Sequence, residues 1–318
     1  MPDQRNFRFG VAVSFPEDAN QWRHLARKVE DLGYDVLLVA DHLLRQWSPL
    51  PALVAAADAT NSLRFGTQVI ANDFRHPVVF AKEAATLDLL TGGRFELGIG
   101  VGHPPTSQTG IRDYQQLGRE MDSPGARVQR LDESLQIIST FFDADEPFDF
   151  AGNFFDLKGV LPHPKPVQKP RPPIMIAGAG PRMLKLAARS ADIINIAPRP
   201  PTRGTTSRGS TGFGLDIHAE LSIIKEAAGP RFAEIELSVF ADRAVITDKP
   251  VEELDKLAAE FGISREAVLD MPHTLLGTPE SMVESVQAYR ERFGIGYRIV
   301  PSYMLEAFAP VVARLKGT

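Results

Sequence analysis

The sequence predicts a (β/α)8 TIM barrel formed by residues 1–318 as a single domain. Three observations lead there. Strand-like and helix-like segments alternate from end to end, the pattern of a parallel α/β architecture. The segment Phe80–Gly102, FAKEAATLDLLTGGRFELGIGVG, reads as an amphipathic helix, a Gly-Gly turn and a buried strand ending in glycines, one helix-to-strand step of such a fold. A length of 318 residues suits an α/β barrel folding as one domain.

The first strand is Phe7–Ser14, followed by a helix over Asn20–Leu32 that Gly33 closes at its C-terminal side. Asp35–Ala40 is the second strand and precedes a helix over Pro51–Ala59. The third strand, Leu63–Ile70, leads to a long helix, His76–Leu90, and the fourth is Phe95–Ile99. An irregular stretch then runs to about residue 125, before a helix over Arg127–Phe142. Residues 143–172 hold many prolines and aromatics, with a small hairpin around Gly152-Asn153. Ile174–Ala177 is strand five, Arg182–Arg189 a helix and Asp192–Ala197 strand six. Residues 198–214 are rich in Gly, Ser, Thr and Arg without an apolar period, which reads as a lid loop. A helix over Asp216–Ala228 precedes strand seven, Ile235–Val245, and helical segments follow near 250–260 and 264–270. Helix Pro279–Phe293, strand Tyr297–Val300 and helix Tyr303–Leu315 complete eight strands, with insertions after strands 4, 6 and 7. A doubly wound sheet is the alternative. It would want GxGxxG after strand one, where Ser14-Phe15-Pro16 stands instead, and Gly98-Ile99-Gly100-Val101-Gly102 lacks that spacing.

Composition narrows the function. A net charge of −5 without basic clusters argues against nucleic acid as a partner. The absence of cysteine excludes disulfides, thiolate nucleophiles and cysteine metal sites. No apolar leader or membrane-length run is present, so a soluble cytoplasmic protein with a small-molecule substrate is expected.

In barrels the active site lies at the C-terminal ends of the strands. After strand two stands Asp41-His42, either an acid/base histidine with a neighbouring carboxylate to fix its tautomer, or a turn cap beside a rim residue. Trp47 offers a stacking wall or ordinary packing. His76-Pro77 is explained as a loop-to-helix start. His103 follows the strand-four glycines and is equally structural or functional on its own. After strand five, Ala177-Gly178-Ala179-Gly180-Pro181 runs into a helix, forming either an anion site at a helix N-terminus or a plain tight turn. His42, His76 and His103 show no metal-ligand spacing on one element, so no metal is expected, and neither Glu17 nor Asp113 can be placed.

The Phe80–Gly102 segment resembles the signature of the luciferase-like monooxygenase superfamily, with Thr91 in place of the usual serine. Gly66-Thr67-Gln68-Val69, Phe74-Arg75-His76-Pro77, Asp41-His42, Ile176–Pro181 and Leu276-Gly277-Thr278-Pro279-Glu280 extend the resemblance over nearly the whole chain. Asp41-His42 and the Gly-Thr-x-Val run look most like the coenzyme F420-dependent branch. The resemblance implies an oxidoreductase moving a hydride between C5 of the deazaflavin and a small organic substrate. It implies a cis peptide at Gln68–Val69 against the deazaflavin, a phosphate held at Gly178, Ala179 and Gly180, and His42 near the reactive face. Asp41, Gln68, Val69, Gly100, Gly102 and Ala177 join the expected cofactor site, and His42 and His103 are the candidate proton carriers. Members acting on glucose-6-phosphate have a catalytic glutamate where this chain has His103. The alternatives are an FMN-dependent two-component monooxygenase and a non-catalytic flavin-binding protein. A homodimer is the family expectation.

Overall fold

The computed structural model describes residues 5–44, 46–198 and 217–318. Its elements begin with β1 (Arg8–Ala12), α1 (Ala19–Asp31), β2 (Val36–Val39), α2 (Pro49–Ala57), β3 (Arg64–Thr67), β4 (Ile70–Ala71), α3 (Pro77–Leu90) and β5 (Phe95–Gly100). There follow α4 (Gln108–Gln116), α5 (Pro124–Asp143), β6 (Phe148–Ala151), β7 (Asp156–Val160), β8 (Ile174–Gly178), α6 (Pro181–Ser190) and β9 (Ile193–Ile196). The last are α7 (Ile217–Ala228), β10 (Glu236–Phe240), β11 (Arg243–Ile246), α8 (Pro250–Phe261), α9 (Arg265–Leu269), β12 (Thr274–Gly277), α10 (Pro279–Phe293), β13 (Ile295–Pro301) and α11 (Ala309–Leu315). The fold class is the parallel (β/α)8 barrel, with β3 and β4 as two pieces of one barrel strand.

The chain divides into two compact units. One holds β1, residues 29–36 and everything from Gly178 onward. Its strands pair in parallel in the order β1, β13, β10, β9, starting from the register Arg8↔Tyr297. Phe9, Val11, Val239, Ile295, Tyr297 and Ile299 are buried in it.

The other unit spans residues 13–28 and 37–177. Here β5 pairs in parallel with β3, β4 and β8, and all six of its residues are buried. That burial on both faces explains the continuous apolar reading of this strand. Helix α3 starts on Pro77 and stops where Gly92 and Gly93 take φ of 63° and 81°, a backbone region that costs residues with a Cβ about 1–2 kcal/mol.

Strand three, read as continuous over 63–70, is broken in the structure by a cis peptide at Gln68–Val69, as the resemblance implies. The glycines of β5 are explained by this break. A Cβ on Gly98 would lie 1.7 Å from the Thr67 carbonyl oxygen, and one on Gly100 would lie 2.9 Å from Val69 Cγ2. The space these glycines leave is therefore filled by the neighbouring strand segments.

Three further readings are corrected. The stretch to residue 125 contains a helix, α4, whose N-terminus Ser107 caps by accepting from the Gly110 N–H at 3.3 Å. Its mostly polar sequence hides it, because it buries only Gly110, Asp113 and Tyr114. Strand seven, read through Val245, ends at Phe240; Arg243–Ile246 turns away to pair with Thr274–Gly277 in a separate two-stranded sheet. The last helix starts at Ala309 rather than Tyr303, since Pro310 suits only a first-turn position. The hairpin at Gly152-Asn153 is present as β6 and β7, its turn tied down by the Glu133 carboxylate, which accepts from the N–H groups of Asn153, Phe154 and Phe155. The 198–214 lid reading falls, from residue 199 on, outside the described residues.

Candidate active site

Two histidines from different strand ends meet in the second unit. His42 follows β2, and His103 lies three residues beyond β5. Their rings stack with centroids 4.8 Å apart and planes 25° apart. The carboxylate beside them is Asp113 of α4, buried to 1% exposure. Asp113 Oδ2 is 3.2 Å from His42 Nδ1, and Oδ1 accepts the Leu43 N–H at 3.0 Å. This bond suits the tautomer in which Nδ1–H donates to Asp113 and Nε2 keeps a lone pair.

Asp41 therefore does not have the part its position suggested. Its carboxylate accepts from both terminal nitrogens of Arg75 and from the Ala71 N–H at 3.2 Å, tying the end of β2 to the turn after β4. The carboxylate that reaches His42 comes from 71 residues further along the chain.

His103 is held from below by Arg127 of α5. That guanidinium donates to the His103 carbonyl at 2.9 Å and to the Val101 carbonyl, fixing the backbone after β5. Gly102, at φ 72°, makes this turn possible. Gly110 packs against the same histidine: a Cβ there would lie 2.6 Å from His103 Cβ. Burial and the nearby His42 and Arg127 push the His103 imidazole below its ordinary range, while Asp113 pulls the other way. Among the described residues, His103 Nε2 is buried without a hydrogen-bond partner.

A second buried carboxylate, Asp73, organises the surrounding elements. It accepts from the Tyr114 hydroxyl and from Arg130 at 2.9 Å, with Arg127 at 3.7 Å, and Arg119 donates to its carbonyl at 3.0 Å. The turn after β4 is thereby joined to α4 and α5. Sequence reading left Asp113 unplaced and missed the roles of Arg127 and Asp73. The one available signal was charge: buried Asp and Arg need partners, and the 103–130 stretch has many of both.

The remaining candidates fall elsewhere. Trp47 stacks on Phe15 at 5.5 Å and meets Trp22 edge-on. His76 caps α3, its Nδ1 accepting from the Val78 N–H at 3.3 Å, as a loop-to-helix start requires. Gln68 and Val69 are half-buried at the broken strand, and Val69 lies against Gly100. Ala177 closes the buried part of β8.

In the first unit, Gly178, Ala179 and Gly180 open α6. Gly180 stands at φ 89° in the N-cap position, Pro181 follows it, and no side chain caps the helix. Gly178 is required by packing, since a Cβ would lie 2.3 Å from Met183 Cγ. An uncapped first turn of a ten-residue helix presents N–H groups to an anion.

The parallel (β/α)8 barrel, with two histidines at strand ends, is the frame in which the comparisons place the chain among oxidoreductases. Residues 6–207 match the family model described as luciferase-like monooxygenase. The chain belongs to this family. It is 27% identical over 318 residues to the F420-dependent glucose-6-phosphate dehydrogenase of Microbacterium testaceum, covering 92% of this chain and 89% of that protein. The oxygenase component of the flavin-dependent trigonelline monooxygenase of Acinetobacter baylyi is 28% identical over 151 residues, 48% of this chain and 39% of that one. Among solved structures, the coenzyme F420-dependent tetrahydromethanopterin reductase of Methanopyrus kandleri superposes with a TM-score of 0.74 at 17% identity, covering 98% of this chain and 100% of that one, a likeness of fold. No helix among the described residues is long and apolar enough to cross a membrane.

Proposed function

We propose that the protein is an F420-dependent oxidoreductase acting on a small organic substrate, with His42 and His103 as its proton carriers. The observation that carries this reading is the stacked imidazole pair with Asp113 3.2 Å from His42, in a family whose members include F420-dependent enzymes. Within the second unit, Gln68, Val69, Gly100 and Gly102 lie at strand ends where the ring of such a cofactor would rest; taken by itself, the uncapped α6 turn of the first unit suits a phosphate. Bound F420 supplies hydride chemistry at C5.

What the chain adds is proton handling and orientation. Asp113 fixes the His42 ring, leaving Nε2 to take or give the proton that accompanies the hydride. Two imidazoles 4.8 Å apart resist carrying two charges at once, so a proton on one favours a neutral partner. Burial makes His103 the weaker base, so once protonated it is the readier proton donor. Asp41, tied to Arg75, holds the backbone that presents His42.

The flavin-dependent relative makes FMN the second reading. Titrating the protein with F420 and with FMN, followed by fluorescence, separates the two. Saturable F420 binding with weak FMN binding is expected; tight FMN binding with none for F420 would replace the deazaflavin reading with a two-component monooxygenase.

A further inference from the structure

Three buried aspartates surround the histidine pair, and two of them are neutralised. Asp41 is paired with Arg75, and Asp73 with Arg130 and Arg127. Asp113 differs: among the described residues its only ion-pair partner is His42. One of its oxygens is used by the Leu43 N–H, and the other faces His42 Nδ1. A buried carboxylate thus meets two imidazoles with no arginine or lysine paired to it.

We propose that His42, His103 and Asp113 form a binding site for a single divalent transition ion of the zinc class. One ligand atom from each lies within 4.8 Å of the other two. The His42 Nδ1 to Asp113 Oδ2 separation of 3.2 Å is close to the roughly 3.4 Å edge of a tetrahedron with zinc bond lengths. His103 must close from the longer distance by turning its ring out of the stack. Its buried, unpartnered Nε2 has no hydrogen bond to lose in that turn. Two imidazoles and one carboxylate suit zinc, cobalt or nickel; magnesium and calcium prefer an all-oxygen set. The three side chains come from the turn after β2, the segment after β5 and helix α4, which is why no one-element ligand spacing betrays the site. Arg127 works against a cation here, but its guanidinium is directed to the Val101 and His103 carbonyls. On binding, the ion takes the place of the Nδ1 proton of His42, which passes to solvent.

A consequence rests on the proposed function: an ion held by both imidazoles stops their proton traffic, so zinc inhibits turnover and a chelator restores it. Binding itself needs neither cofactor nor substrate. Titration of the protein alone with Zn2+ by calorimetry, and with Co2+ by visible absorption, should show one ion per chain and the intense bands of a tetrahedral cobalt site. Asp113→Asn and His103→Gln, each verified as folded by circular dichroism, should weaken binding by more than about 10-fold, since loss of even an outer partner costs that much. His24→Ala, at an exposed histidine, should leave binding unchanged. Absence of one-to-one binding, or binding that both His103→Gln and Asp113→Asn leave intact, overturns the site. Zinc that binds as expected while turnover continues undiminished would leave the site standing and overturn the proton-carrying roles of His42 and His103.

Discussion

His103 and His273 are both histidines whose imidazoles burial pushes below the ordinary range, yet their surroundings have little in common. His103 sits in the second unit, half-exposed, stacked on His42 and close to a carboxylate. His273 sits in the first unit, 5% exposed, with its Nε2 2.9 Å from the Ile196 carbonyl. Its charged neighbour is Arg298, which is fully buried, lies over the Tyr289 ring and donates to the Pro272 carbonyl. Burial alone therefore does not separate a candidate proton carrier from a core histidine. A second titratable partner within reach, and an open side from which a proton or ligand can arrive, separate the two. His273 with Nε2–H donating to a carbonyl is a satisfied core residue; His103 has an unused nitrogen.

The widest separation between the regions should appear in turnover. His42→Ala is expected to lower kcat by about 10²–10⁴, the usual worth of a positioned acid/base group, equivalent to about 3–5 kcal/mol. His273→Gln, compared per folded molecule, should stay within a few-fold of wild type. Steady-state kinetics on both variants checks this, and equal losses would erase the distinction.

Stability against pH should show the reverse. Burial holds the His273 imidazole near 4 in the folded protein, against 6.5 when free. Between those values the unfolded chain binds a proton that the folded one refuses. The stabilising contribution is complete above pH 6.5 and is lost as pH falls toward 4, a swing of about 3 kcal/mol. Denaturant titrations from pH 7 to 4 should find that His273→Gln removes this acid sensitivity. A slope unchanged in the variant would show that the ring titrates as it does in the unfolded chain.

A smaller effect of opposite sign comes from Asp242, in the turn after β10. Burial raises its carboxyl to about 6 from 3.8, with Arg243 pulling it back. Here the folded protein holds a proton that the unfolded chain has released, so stability falls as pH rises from 3.8 to 6. After allowance for partial exposure the cost above pH 6 is about 1–2 kcal/mol. Asp242→Asn should therefore stabilise the protein at pH 7 and steepen its loss toward acid, because wild type has the two residues partly cancelling. Destabilisation by Asp242→Asn at neutral pH would count against the buried-acid account.

The fold was legible in the sequence because its signals are repetitive: apolar strand runs, helix caps and glycine stops recur along the chain. Errors came where a segment departed from that rhythm. Arg243–Ile246 is as apolar as a barrel strand continuing from Phe240, and only its partner, Thr274–Gly277, reveals that it has left the sheet. The candidate site was legible as two histidines, and the α6 glycine turn as a separate feature of the other unit. What joins the histidines was not, because Asp113 lies in a polar stretch without period, Arg127 stands near the start of the next helix, and both act through contacts 24 to 71 residues away in sequence. Asp41, adjacent in sequence, was the plausible partner and the wrong one.

Residues 104–123 contribute Asp113, the Gly110 surface against His103 and the Tyr114 hydroxyl on Asp73, yet they supply no barrel strand. Under the proposed function, proton chemistry in this scaffold rests in part on a segment outside the barrel strands. Swapping it among relatives is a direct route to new reactivity on an old barrel.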